Sequence, residues 1–194
     1  MNPNKKMYKR VLSLMALFVL TTHLIQAQQF NLTNKESTLT VLGTSSLHDW
    51  HITAEQQSGK IVFKNLEAGE IDKCNIDIVA ESLKSGKSSM DKNTYKALNT
   101  SSYKTISFQL INVKEVANKG NGKFTLKTEG DLSISGVKKR IPLEFSLSIV
   151  DGKITLTGEK KIKMTDFKID PPKALLGTIT TGDDITIKFS TIFK

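Results

Sequence analysis

The sequence predicts an all-β fold of antiparallel strands. Three observations carry this. Apolar residues after position 37 recur at every second place. Glycine-bearing turns such as LEAGE, NKGNGK, VDGK and TTGDD separate the runs. One segment alone, KSSMDKNTYKALN at 87–99, leaves the two-residue period for a helical one.

Taken in order, STLTVLG sets Leu39 and Val41 on one face, and KIVFKN sets Ile61 with Phe63. NIDIVA repeats the pattern with Ile76 and Ile78. TISFQLINV places Ile106, Phe108 and Leu110 in phase and then shifts to Ile111 and Val113, the mark of a bulge or a strand end. Phe124 and Leu126, then Leu132 and Ile134, continue the apolar face. IPLEFSLSI is the cleanest run: Ile141, Leu143, Phe145, Leu147 and Ile149 alternate with polar residues and one proline. Ile154, Leu156, Ile162 and Met164 follow, and Ile185, Ile187 and Phe189 close the series. This is about eight or nine half-buried strands, a number that suits a closed barrel or a sandwich. The inward face reads as Leu, Ile, Val, Phe and Met with no charged residue in phase.

The exception at 87–99 puts Met90, Thr94, Ala97 and Leu98 on one helical face, with Ser88 and Asp91 spaced as an N-terminal cap. A second short helical turn is expected at PPKALLG, 171–177, behind its prolines.

The first 27 residues read as a secretory signal peptide. MNPNKKMYKR is basic, VLSLMALFVLTTHLIQ is apolar but short for a membrane span, and Ala27 precedes a polar start. The domain proper is then 28–194, in the periplasm or outside the cell. Removing Lys5, Lys6, Lys9 and Arg10 from 28 basic residues leaves 24 against 19 acidic ones, so the net charge falls from +9 to +5. The remaining lysines are scattered, with KKR at 138–140 the densest group. No aromatic-interleaved basic stripe points to nucleic acid. Cys74 is the sole cysteine, so no internal disulfide forms, and its strand context reads as a small buried hydrophobe.

HDWH at 48–51 invites a catalytic or metal reading. His48 and His51 are spaced so that an extended strand sends them to opposite faces, whereas a chelating pair in a strand sits two apart. No Gly-x-Ser-x-Gly nucleophile turn occurs. The plainer reading is a rim histidine with Trp50 packed on the wall. A hydrolase built on His48, Asp49 and His51 is the rival that metal analysis would decide.

Three stretches carry a resemblance to the YceI-like family. DIVAESLKSGKSSMDKNTYKALNTSSYKTISFQL matches its central part through Ser82-Leu83, Gly86, Met90-Asp91 and Ile106-x-Phe108. GDLSISGVKKRIPLEFSL is similar to its hairpin at Gly130, Leu132, Ile134, Gly136, Val137 and Lys138. KMTDFKIDPP with the later GDDITIKF resembles its C-terminal end. The likeness spans about 37–193. Lys104 and Lys138 depart from the family's usual Pro and Thr.

The resemblance implies an exported, lipocalin-like, eight-stranded antiparallel β-barrel. It would hold a long-chain amphiphile, a polyisoprenoid or a fatty-acid derivative, and would need neither catalytic residue nor cofactor. Barrel-lining candidates by pattern and by the resemblance are Val41, Trp50, Phe63 and Ile78, then Phe108, Leu110, Leu126 and Ile134, then Leu143 and Phe145; strand phase alone sets Trp50 with Leu42 unless Gly43 or the serine pair introduces a bulge. Leu83, Met90 and Leu98 join them around the helix, and Met164 and Phe167 from the C-terminal half. His48 and His51 are candidates for contact with a head group. A tail of about twelve methylenes would gain on the order of 10 kcal/mol by transfer, of which ordering and association take back half or more.

Periodicity alone equally describes a core filled by its own side chains, which would make this a secreted interaction or structural domain. The helix would be a lid in one case and a plug in the other. The edge between first and last strands would close the barrel or pair with a second copy in a homodimer.

Overall fold

A computed structural model describes residues 28–174 and 177–194. The segment read as a signal peptide lies outside these residues. Twelve strands form one predominantly antiparallel sheet, not eight: β1 (Gln28–Asn31), β2 (Thr38–Ser45), β3 (Trp50–Ala54), β4 (Gln57–Asn65), β5 (Glu70–Val79), β6 (Leu83–Lys84), β7 (Thr105–Gly120), β8 (Lys123–Ile134), β9 (Val137–Val150), β10 (Lys153–Lys163), β11 (Lys173–Ala174) and β12 (Ile179–Phe193). Among the described residues one α-helix, α1 (Ser88–Leu98), interrupts them.

The difference in count has a plain cause. β3 runs into β4 and β5 into β6 across short bends, so two long strands are each counted twice, and β1 and β11 are short extra pieces of four and two residues. Strand order is β1-β4-β5-β7-β8-β9-β10-β12-β2-β3-β6, with β11 beside β12. Because β3 continues into β4, the path curls round on itself. The far edge is stitched by a Leu32–Phe193 bridge and by mutual backbone hydrogen bonds between Asn31 and Lys194, at 2.8 and 3.0 Å. The edge of β12 is itself paired with β2 from Leu39–Phe189 to Gly43–Ile185.

The phase shift expected in β7 is present. Register slips between Leu110 and Asn112 against β8, and Ile111 is left outside at 42 % exposure. The tight turns sit where glycine or asparagine allows positive φ, as at Asn121-Gly122 and Asp151-Gly152.

Two local expectations need correction. Ser88 does not cap α1: the cap position is Lys87, with no side-chain bond. Asp91 instead reaches back to accept from Ser85 N (2.8 Å) and Ser85 Oγ (2.6 Å), which holds its carboxyl below the usual carboxylate range. At PPKALLG, Lys173–Ala174 is a strand against Ile179–Thr180 rather than a helical turn, and Leu175 and Leu176 fall outside the described residues.

The barrel interior divides into two unlike halves. Around the β1 and β12 termini it is solid: Ile61, Phe63, Leu126, Leu147, Ile154 and Phe193 are at most 1 % exposed. Toward α1 the side chains thin out into two smaller clusters, one around Ile162, Met164 and Phe167 and one around Leu39, Ile52 and Ile78.

Candidate functional site: a blind apolar cavity under α1

Between those two smaller clusters lies a cavity of about 370 Å³, within the range of small-molecule sites. Its walls are Leu39 and Val41 of β2, Ile52 of β3, Ile76 and Ile78 of β5, and Ile185 and Ile187 of β12. Its roof is α1, through Met90, Thr94, Ala97 and Leu98, all half-buried.

Two phenylalanines separate the cavity from the solid half. Phe108 and Phe189 both border the cavity and pack on the solid core. Each ring lies over a glycine of a neighbouring strand. A Cβ at Gly130 would fall 2.3 Å from the Phe108 ring, and one at Gly158 would fall 2.8 Å from Phe189 Cζ. The missing side chains are what let the rings lie down as a floor. Below them, Thr191 touches the inner end of the cavity. It is wholly buried, and its hydroxyl has no partner among the described residues.

The roof is tied on by polar contacts rather than by burial, since no residue of α1 is fully buried. Tyr95 OH donates to Glu81 O (2.8 Å), Thr100 Oγ1 to Glu81 Oε1 (2.9 Å) and Ser135 Oγ to Leu98 O (2.9 Å). Each such bond is worth about 1 kcal/mol net. This is a cover held by a few polar contacts, not a core helix.

The mouth holds the HDWH stretch, and the strand-phase reading of it needs revision. Residues 46–49 are not extended: Ser45 Oγ donates to His48 O (2.7 Å) and accepts from His48 N (3.2 Å), turning the chain. Trp50 therefore opens a new strand opposite Gly43 and faces inward, its Nε1 donating to Thr44 O (2.9 Å). His48 lies at the cavity mouth, whereas His51 is exposed and does not line it. The two imidazoles do not share a site. Among the described residues no three His, Cys, Asp or Glu side chains cluster as metal ligands would.

Of the residues expected to line a hollow barrel, the structure brings Val41, Trp50, Ile78, Leu83, Met90, Leu98, Phe108, Ile134, Met164 and Phe167 to the cavity. Phe63, Leu110, Leu126, Leu143 and Phe145 belong instead to the solid half. They face inward as expected but at the wrong depth. Alternation gives the face of a strand and not the height along it.

The reading of an uncharged inward face also fails. Lys160 stands in phase with Leu156, Gly158 and Ile162, pairs with Ile187 and borders the cavity. KITLTGEKKIK showed this phase; the neighbouring lysines masked it. Lys87 and Lys173 border the mouth, and among the described residues no Asp or Glu lines the cavity.

The fold and cavity together define a rolled antiparallel β-barrel with an apolar chamber under a helix. The chain belongs to the YceI-like family: the YceI-like domain matches residues 29–193. Among solved structures it is similar to BcnA of Burkholderia cenocepacia, at 14 % identity and TM-score 0.67, over 83 % of this chain and 98 % of that one. A polyisoprenoid binding domain from Saccharophagus degradans, implicated in plant cell wall breakdown, aligns at 13 % identity and TM-score 0.67, over 85 % and 97 %. A Campylobacter jejuni YceI protein aligns at 23 % identity and TM-score 0.55, over 71 % and 80 %. At these identities the likeness is one of fold. No curated protein sequence matches the chain.

Proposed function

We propose that this chain is an exported, non-enzymatic carrier that holds one long-chain amphiphile, a polyisoprenoid or fatty-acid-like lipid, in the chamber under α1. The observation that supports this most is the abrupt change of packing within one barrel. The solid half shows that this sequence fills an interior where it needs to. The chamber is left open by glycines that lower its floor and by a helix that spans its roof. Apolar walls supply affinity in proportion to the tail buried, about 0.8 kcal/mol per methylene. Family membership and the named polyisoprenoid binding neighbour favour a lipid as occupant. The reading of the N-terminal 27 residues as a signal peptide supports a carrier in the periplasm or outside the cell.

The test is to purify the protein under native conditions, extract it with organic solvent and weigh what is released. A lipid of defined mass at a near-stoichiometric amount is expected. A clean protein mass, with no uptake of hydrophobic dyes, would leave a β-domain with an idle void and end the carrier reading.

A further inference from the structure

Strand phase puts two charged side chains on the inner wall, Lys139 of β9 and Lys160 of β10, and among the described residues only Lys139 meets a counter-charge. β9 and β10 pair from Val150–Lys153 up to Phe145–Gly158 and then part. Lys160 is the next inward position of β10 beyond that last pair, about 7 Å up the strand from the floor glycine. On its other side it is directly opposite Ile187, and Ile162 follows it inward. Ile141 of β9 borders the same cavity.

The other lysine of this region is already engaged. Lys139 Nζ lies 3.1 Å from Asp166 Oδ1 and 6.0 Å from the centre of the Phe167 ring. Among the described residues Lys160 enters no ion pair and no side-chain hydrogen bond, and the cavity wall offers no carboxylate. Lys160 is half-buried, so part of its side chain remains in contact with solvent. A long apolar tail filling the cavity would strip part of that water. An ammonium desolvated without a counter-charge is costly, and one met by an anion is not.

We propose that Lys160 pairs, inside the barrel, with the anionic group of the bound amphiphile, so that the carrier selects carboxylate or phosphate lipids over neutral ones of equal length. This rests on the carrier reading and adds the charge of the ligand to it. The lysine stem lies along the isoleucine wall while the ammonium meets the head group. The exposed lysines at the mouth, Lys87 and Lys173, sit in high dielectric and contribute little selection.

The test compares oleate, oleyl phosphate and oleamide by equilibrium titration at pH 8.5, on the wild type, Lys160→Met, Lys160→Gln and the double variant Lys87→Ala, Lys173→Ala. The wild type is expected to favour at least one anion over the amide by about tenfold or more, equivalent to about 1.4 kcal/mol. Both Lys160 variants are expected to lose that preference while still binding the amide, and the mouth variant to keep it. Which anion is favoured separates a carboxylate from a phosphate ligand. Equal affinity for anions and amide in the wild type overturns the proposal, as does a preference that survives in Lys160→Met or disappears in the mouth variant. If no ligand binds the wild type at all, the carrier reading itself falls and takes this inference with it.

Discussion

The indole of Trp50 occupies the space that a side chain at Gly43 would need. The two residues are cross-strand partners, and a Cβ at Gly43 would lie 2.1 Å from Trp50 Cζ2. The glycine thus sets the position of the only tryptophan, which stands at the mouth of the cavity. Gly43→Ala is expected to displace the indole, break its bond to Thr44 O and destabilise the protein by about 1–3 kcal/mol. Tryptophan emission should shift and lipid affinity should fall together. Unchanged emission would show that the ring does not depend on the bare Cα.

The floor sets how long a tail the chamber accepts. Phe108→Ala removes half of the partition between the hollow and solid halves. A cost of about 3 kcal/mol in denaturant unfolding is expected, at the low end for phenylalanine because the ring already borders open space. The chain length bound most tightly should rise by a few carbons across a series of saturated fatty acids. A destabilised variant with the same length optimum would mean that the tail stops short of Phe108.

The two halves should answer truncation differently. Leu126 is fully buried in the solid cluster, so Leu126→Ala should cost about 3–4 kcal/mol and leave ligand affinity nearly unchanged. Ile187→Ala, on the cavity wall, should cost less than half as much in the unliganded protein and change affinity instead. Paired chemical denaturation and titration of both variants measures this. Equal stability losses would mean that the chamber is collapsed in solution.

Cys74 gives a pH signature. Burial alone pushes its thiol from 9.0 up to about 12, so the native protein keeps the proton where the unfolded chain loses it. The native state therefore binds more protons between about pH 9 and 12, and stability falls as pH rises through that window. Below pH 9 the group contributes no slope. The thiol should also resist disulfide-exchange reagents at pH 8 until the protein is unfolded. Rapid labelling of the folded chain would contradict its placement at 4 % exposure.

The fold was legible because this sequence alternates so regularly. IPLEFSLSI and TISFQLINV announced β9 and the β7 bulge residue by residue. The α1 segment stood out by the opposite token. Depth was not legible: Phe145 and Ile134 are both inward, yet one packs the solid half and the other faces the chamber. What separates them is register against neighbouring strands and the glycines under Phe108 and Phe189, and neither can be read from one strand. HDWH was legible in outcome, a rim histidine with Trp50 on the wall, but not in cause: the serine-anchored turn at Ser45–His48 that resets the phase is a hydrogen-bonding detail. Lys160 is in inward phase with Leu156 and Ile162, but its charged neighbours in EKKIK hide that phase.

The central claim is that a single amphiphile occupies the chamber beneath α1. Its most direct measurement is a titration with cis-parinaric acid, read by energy transfer from Trp50, on the wild type and on Ala97→Phe, which puts a ring into the chamber from the roof. Saturation at one molecule per chain is expected in the wild type, and strongly weakened binding in Ala97→Phe with the fold intact. Failure of the wild type to saturate, or equal binding by the filled variant, would contradict it.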